Sequence, residues 1–280
     1  MAPESVQAAR PPEKGTAPQS RPKHKIRLRF RKAGNLRLVS HIDLLHVFER
    51  MLRRAALPFA RTQGFHPKPC LVFAHALALG VAGLDEVVEL ELDEPIPADE
   101  VLERLNSQAP PGLEFLQARV TETRGAPQVR RATYRLSLPA PDDDLPQRCA
   151  ALLARPRCIV ERAKPRRRRI DIRPYLDDVR ADAATLTMTL WITPYGAARP
   201  EEIVKALGLG ALLDEGPVLE RIHLELMDEL PEHERWLPEI PRLADAEVAA
   251  EEVIVAAAET REHAAHSADP LIANPLSFET

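Results

Sequence analysis

Two stretches of this 280-residue chain hold side chains whose types and spacing can do chemistry. The first begins at Ser40-His41-Ile42-Asp43, continues through His46 and Arg50, and ends in Gln63-Gly64-Phe65-His66-Pro67-Lys68-Pro69. Ser40 followed three residues later by Asp43 resembles a capping box, with Asp in place of Glu or Gln. A helix N-terminus offers free amides and a positive dipole to an anion. A recess between that helix end and the loop would add the charges of Arg50 and Lys68. Gln63, Gly64 and His66 would complete its loop side, and Phe65 offers a ring on which a base can stack. His41 and Asp43 are also the candidates for acid–base catalysis, although nothing in the pattern fixes a substrate between them. Capping alone accounts for Ser40 and Asp43, and a solvated helix face accounts for Arg50; both readings stand beside the recess. His41, Asp43, His46, His66 and His75 are metal ligands by type, but their spacing follows no zinc pattern, and no metal or other cofactor is expected.

The second stretch is Arg162-Ala163-Lys164-Pro165-Arg166-Arg167-Arg168-Arg169, placed between two expected strands. Dense positive charge gives salt-sensitive, sequence-blind contact with phosphates. Arg173, Pro174 and Tyr175 would extend that surface, and the plain alternative is a solvated hairpin tip. No GxGxxG, P-loop or nucleophile-elbow pattern occurs anywhere in the chain.

These side chains need elements to hold them. His24 to Lys32 alternates Ile26, Leu28 and Phe30 with Arg27, Arg29 and Arg31, the period of a half-buried strand with an arginine-lined open face. A helix follows Ser40 with Leu45, Phe48, Leu52 and Ala55 on one stripe, and Asp43, His46, Arg50 and Arg53 on a polar one. Pro58 ends that helix, and Pro67 and Pro69 force His66 and Lys68 into extended backbone. Strands at 70–74 and 87–92, a helix from Asp99 to Gln108 and a strand at 113–120 complete a β-α-β-β-α-β order, the split unit of the ferredoxin-like fold. After a polar linker near 121–129 the order recurs: strand, helix at 145–154, strands near 159–163, 170–173 and 185–192, a helix opened by Pro200, and a strand at 218–227. One strand is surplus. The expected fold class is therefore α+β, two tandem ferredoxin-like units at 23–121 and 130–228. A disordered tail at 1–22 and an acidic, largely disordered tail at 229–280 flank them.

Charge is distributed unevenly. Lys23 to Lys68 contains 12 Lys or Arg against two acids, and Asp85 to Glu103 contains nine acids and no Lys or Arg. From Asp228 onward there are 13 acids and three arginines, although the whole chain is only −4. A basic body with an acidic end points to a polyanion partner, with a solubility tail as the plainer account of the acids. Hydrophobic residues at 45% and charged ones at 29% exclude collagen-like and wholly disordered classes. No apolar run approaches the roughly 18 residues of a membrane span. The beginning MAPESVQAAR is no secretory signal, and three scattered cysteines make no disulfide framework. A cytoplasmic location without membrane contact is expected.

The motifs Ser40-His41-x-Asp43, Phe48-Glu49-Arg50 and Gln63-Gly64-Phe65-x-Pro67-x-Pro69, in that order, resemble those of the bacterial radical SAM-linked protein family. The resemblance covers residues 25–227 and is most specific between Phe30 and Gly80. It implies association with a radical SAM protein, here a separate chain, and supplies no established reaction. The chain is not expected to be the radical SAM catalyst itself. That chemistry needs three closely spaced cysteines, whereas Cys70, Cys149 and Cys158 lie far apart. Tandem ferredoxin-like units also build CRISPR repeat-processing ribonucleases and some tRNA pseudouridine synthases, an analogy of fold alone. The leading expectation is an accessory protein that binds RNA, a tRNA or rRNA, for a radical SAM partner. The alternatives are a small-molecule or anion-binding enzyme subunit using the recess around Asp43 and Phe65, and a pure interaction module.

Overall fold

Alternation on the first strand lays down one side of the first core. The structure, a computed structural model, describes residues 24–63, 65–123, 125–163, 167–214 and 216–240. The tail at 1–22, the acidic end beyond Ile240, and Gly64, Lys164 and Arg166 lie outside the described residues. The described chain falls into two units, one holding residues to Leu79 and Glu86–Pro127, the other Gly80–Asp85 and residues from Gln128 on. The chain is α+β.

In the first unit, β1 (His24–Lys32) buries Ile26, Leu28 and Phe30 against α1 (His41–Arg54). Short β2 (Leu71–Phe73) pairs antiparallel with β3 (Ala82–Leu92), which contributes Val88, Leu90 and Leu92 to the same core. Helix α2 (Ala98–Asn106) adds Val101 and Leu105, and β4 (Leu113–Val120) pairs antiparallel with β1. Strand order is β4-β1-β3-β2. The buried stripe of α1 includes Leu44, Phe48, Met51 and Leu52, followed by Ala55, so Phe48, Leu52 and Ala55 of the expected stripe are buried and only Leu45 is not. Leu44, Phe48, Met51 and Ala55 follow the i, i+4, i+7, i+11 path of one helix face, which leaves Leu45 at its half-buried edge.

The arginine-lined face of β1 is open only at its end: Arg31 is exposed, Arg29 half-buried and Arg27 buried. Arg27 is 1% exposed, and its guanidinium donates to Glu89 at 3.0 and 2.7 Å, with Lys25 3.1 Å from the same carboxylate. A buried guanidinium needs a counter-charge, and the acids of β3, remote in sequence, supply it.

Helix α1 ends before Pro58, at a left-handed residue. Ala56 has φ +50°; its amide donates to Arg53 O at 3.2 Å, and the Leu57 amide to Leu52 O at 3.2 Å. That pair of bonds closes the helix end, a place where glycine is usual because a Cβ is strained there. Gly112 is required differently: a Cβ there would stand 2.5 Å from Ala33 O.

The second unit holds β5 (Val129–Ser137), β8 (Leu176–Ala181), β9 (Thr185–Trp191) and β10 (Glu220–Leu226) in the order β10-β5-β9-β8. Its helices are α3 (Leu145–Ala154) and α4 (Pro200–Ala206). The surplus of strands resolves into β6 (Ile159–Arg162) and β7 (Arg168–Asp171), which form a two-stranded ribbon of their own. Strand β8 escapes sequence reading because its pairing with β9 shifts between Leu176 and Asp178, which breaks the alternation of Leu176 and Val179. Gly80–Asp85, expected inside the first unit, groups with the second because Ala82 and Gly83 pair in parallel with Glu220 and Arg221.

Ordered packing continues past 228. The Arg130 guanidinium lies 4.9 Å from the Trp191 ring and 4.8 Å from the Trp236 ring, and it donates to Trp236 O at 3.0 Å and to Glu225 at 2.8 Å. Burial pushes the Glu225 carboxyl up, but hydrogen bonds from Arg131 and Arg130 outweigh it and hold the carboxyl below its ordinary range.

Two stability outcomes are expected. Ala56→Gly relieves the left-handed residue at an exposed position and should stabilise by about 1 kcal/mol in denaturant titration. A depressed carboxyl contributes stability that is present above its ordinary value of 4.5 and lost as pH falls through the lower folded value. Glu225→Gln should therefore flatten the fall in melting temperature below that pH; an unchanged acid limb would show that Glu225 is not a contributor.

Candidate functional site

The inward parity of β1 does not stop at Phe30; it continues to Lys32, and the inward parity of β3 begins at Glu86, ahead of Val88 and Leu90. Lys32 is 2% exposed and Glu86 3%. Both line a recess beside the start of α1, together with His41, His75, Phe30, Leu44, Phe73 and Leu77. Its free volume is about 10 Å³, the room of a single water. The His41 ring meets Phe73 edge-on at 5.1 Å, and the Lys32 ammonium donates to Val39 O at 2.8 Å. Opposite charges buried among aromatic rings make this a built polar site rather than an ordinary core.

The expected recess differs in composition. Of the residues expected to form it, only His41 lines this one. The Asp43 amide donates to Ser40 Oγ at 3.2 Å, and Ser40 Oγ donates to the Asp43 carboxylate at 2.7 Å, so this pair caps the helix. His46 and Arg50 lie on the exposed face of α1. Among the described residues no three His, Cys, Asp or Glu side chains converge as a metal would need; of His41, Asp43, His46, His66 and His75, only His41 and His75 share the recess.

The loop forms a separate feature. Arg61 bridges to Pro69, the Thr62 amide donates to Lys68 O at 2.8 Å, and the Lys68 amide donates to Thr62 Oγ1 at 3.0 Å. The neck is thus closed, and the Arg61 guanidinium packs 4.8 Å from the Phe59 ring. Beyond the neck Phe65 is fully exposed, with Gln63, His66 and Lys68 exposed beside it. Among the described residues the side chains of Arg50, Gln63, His66 and Lys68 have no hydrogen-bond or ion-pair partner. Arg53 and Arg54, by contrast, are engaged by Glu49 at 2.6 Å and by Gln108 O at 3.0 Å.

Within the described part of the arginine cluster, Arg162 has a structural role. Arg162 is 7% exposed and donates to both oxygens of Glu202, at 2.6 and 2.8 Å, and to Ala197 O at 2.9 Å. It is therefore no phosphate contact: its place at the end of β6 turns it inward onto α4. Arg167 is exposed but paired with Glu161, while Arg168 and Arg169 are half-buried on β7. Cys149 and Cys158 are buried, and burial pushes the Cys158 thiol up to about 11, which makes it a poor nucleophile.

Sequence reasoning missed one further group. His223 Nδ1 lies 2.7 Å from Asp85 beside an open cleft of about 260 Å³ lined by Arg131, Thr133, Asp177, Arg180 and Glu225, all in the second unit. Its charges answer one another, Arg131 engaging both Glu225 and Asp177. Nothing local in the sequence signals a pair that comes together from strands so far apart.

Residues 25–203 match the family described as "Uncharacterized protein conserved in bacteria (DUF2344)". The chain belongs to that family. The family region holds both the Lys32–Glu86 recess and the Phe65 loop and leaves β10 outside. No curated protein matches the sequence. A matching solved structure, the crystal structure of an unknown protein from Galdieria sulphuraria, is 15% identical and covers 73% of this chain and 98% of that one. Its TM-score of 0.23 carries no argument. Among the described residues no helix is long and apolar enough to cross a membrane.

The recess yields a double-mutant test. Lys32→Met or Glu86→Gln removes one of two opposite charges buried at the same recess and should cost about 3 kcal/mol. The double variant should recover part of that loss; additive losses would show that the two charges act independently.

Proposed function

We propose that this protein is a radical SAM-associated accessory protein that binds RNA, a tRNA or rRNA, for a separate radical SAM enzyme. The partner rests on the motif resemblance between Phe30 and Gly80. The RNA reading is carried by one observation: Arg50, His66 and Lys68 are exposed and uncommitted, and no acid occurs between Glu49 and Asp85. Cations already paired with protein carboxylates contribute little to a polyanion; unpaired ones release counterions from phosphates on binding. We also read each unit as ferredoxin-like. Supporting this are the order β-α-β-β-α-β, the strand order β4-β1-β3-β2, and its counterpart β10-β5-β9-β8, with the β6–β7 ribbon as an insertion. A cytoplasmic location belongs to the same proposal. An enzyme subunit with a pocket around Asp43 and Phe65 has less behind it, since Asp43 is engaged by Ser40 and Phe65 is fully exposed.

A pull-down from the native host, with RNA sequenced and proteins identified in one sample, tests both halves. RNA together with a radical SAM protein is the expected yield, and recovery of neither would overturn the proposal. In vitro, replacing Arg50 and Lys68 with Ser should weaken RNA binding and lower the slope of log affinity against log salt by about 1.4, or about 0.7 per lost phosphate contact. An unchanged slope would remove these two residues from the interface.

A further inference from the structure

We infer that the loop from Arg61 to Pro69 captures an unpaired nucleotide, its base stacked on Phe65 and a neighbouring phosphate held by Lys68. This rests on the RNA reading above and specifies which RNA feature the loop takes. Phe65 is fully exposed, an apolar ring in water with no packing role for its burial to explain. The neck, held by the Arg61–Pro69 bridge and the two Thr62–Lys68 hydrogen bonds, fixes where the loop projects before any ligand arrives. Pro67 and Pro69 restrict the backbone of His66 and Lys68 in addition. A neck that is closed before binding lowers the chain-ordering cost of capture.

The surroundings favour a nucleic acid over an apolar protein pocket. Arg61, His66 and Lys68 lie within four residues of Phe65 in sequence and are exposed, and no carboxylate is near it in sequence. A phenyl ring flanked by cations matches a base with its phosphates. It matches an unpaired base in particular: within a duplex both faces of each base are already stacked, so the ring has nothing to cover. Gln63, exposed and uncommitted beside the ring, offers an amide donor and acceptor to a base edge.

Three probes and two variants of the full chain separate the possibilities: a 12-nucleotide oligouridine, a blunt duplex RNA of equal length, and inorganic polyphosphate, each titrated by anisotropy or competition. The wild type should bind the single strand roughly ten-fold more tightly than the duplex. Phe65→Ala, with an unchanged melting temperature, should lose about that factor on the single strand alone. Phe65→Trp should retain the preference, with its fluorescence quenched on binding. If RNA binds but wild type shows no single-strand preference, or Phe65→Ala weakens all three probes alike, stacking is overturned and the RNA reading stands. If none of the probes binds, the RNA reading itself falls and takes this inference with it. If Phe65→Ala leaves RNA affinity intact but loses a co-purifying protein, the loop is a protein interface instead.

Discussion

The ring of Phe30 is the contact on which the first unit is organised. It meets Phe48 of α1 at 5.5 Å, Phe73 of β2 at 6.0 Å and Phe115 of β4 at 6.2 Å, so a single inward side chain of β1 touches three other elements. Such edge-on and tilted contacts fix angles as well as distances. They hold the start of α1 against β2, bring His41 onto Phe73 and close the apolar walls around Lys32 and Glu86. Phe30 and Phe73 of that cluster form part of the wall of the polar recess.

Placement sorts the arginines and lysines into two populations of the same chemistry. Arg27, Arg130 and Arg162 are buried against Glu89, Glu225 and Glu202, where they tie strand to strand or ribbon to helix. Their charge is cancelled locally, and little of it reaches a solvent-borne ligand. Arg50 and Lys68 stand outside the core with no such answer. A basic stretch of sequence therefore overstates the basic surface. What remains is a smaller, uncancelled set that includes Arg50 on α1 and Lys68 on the Phe65 loop, and those two support a polyanion reading.

The recess and the loop divide the motif region between them. The recess is small, fits one water and holds Lys32 to the Val39 carbonyl, which makes it a structural and positioning centre in the first instance. The loop is open, pinned at its neck and uncommitted at its tip. Loops positioned by a rigid scaffold are where binding commonly resides, and here the scaffold is the Phe30 cluster through β2 and α1.

Much of this was legible in the sequence. Alternation pointed to β1, β3 and β5, the Ser40–Asp43 spacing to the start of α1, and the prolines to an extended Phe65 loop, because each depends on interactions within a few residues. The parity that buries Ile26 and Phe30 also reaches Lys32, so even the recess left a local trace in charged residues at inward positions. Tertiary structure alone decided the rest. It buried Arg27 and Arg162 because their carboxylates come from 62 and 40 residues away. It placed β8 in the sheet despite a bulge that hides its period, and moved Gly80–Asp85 to the second unit through pairing with β10. Local pattern fixes which way a side chain faces on its own element; whether the charge it carries is answered depends on which distant strand arrives opposite.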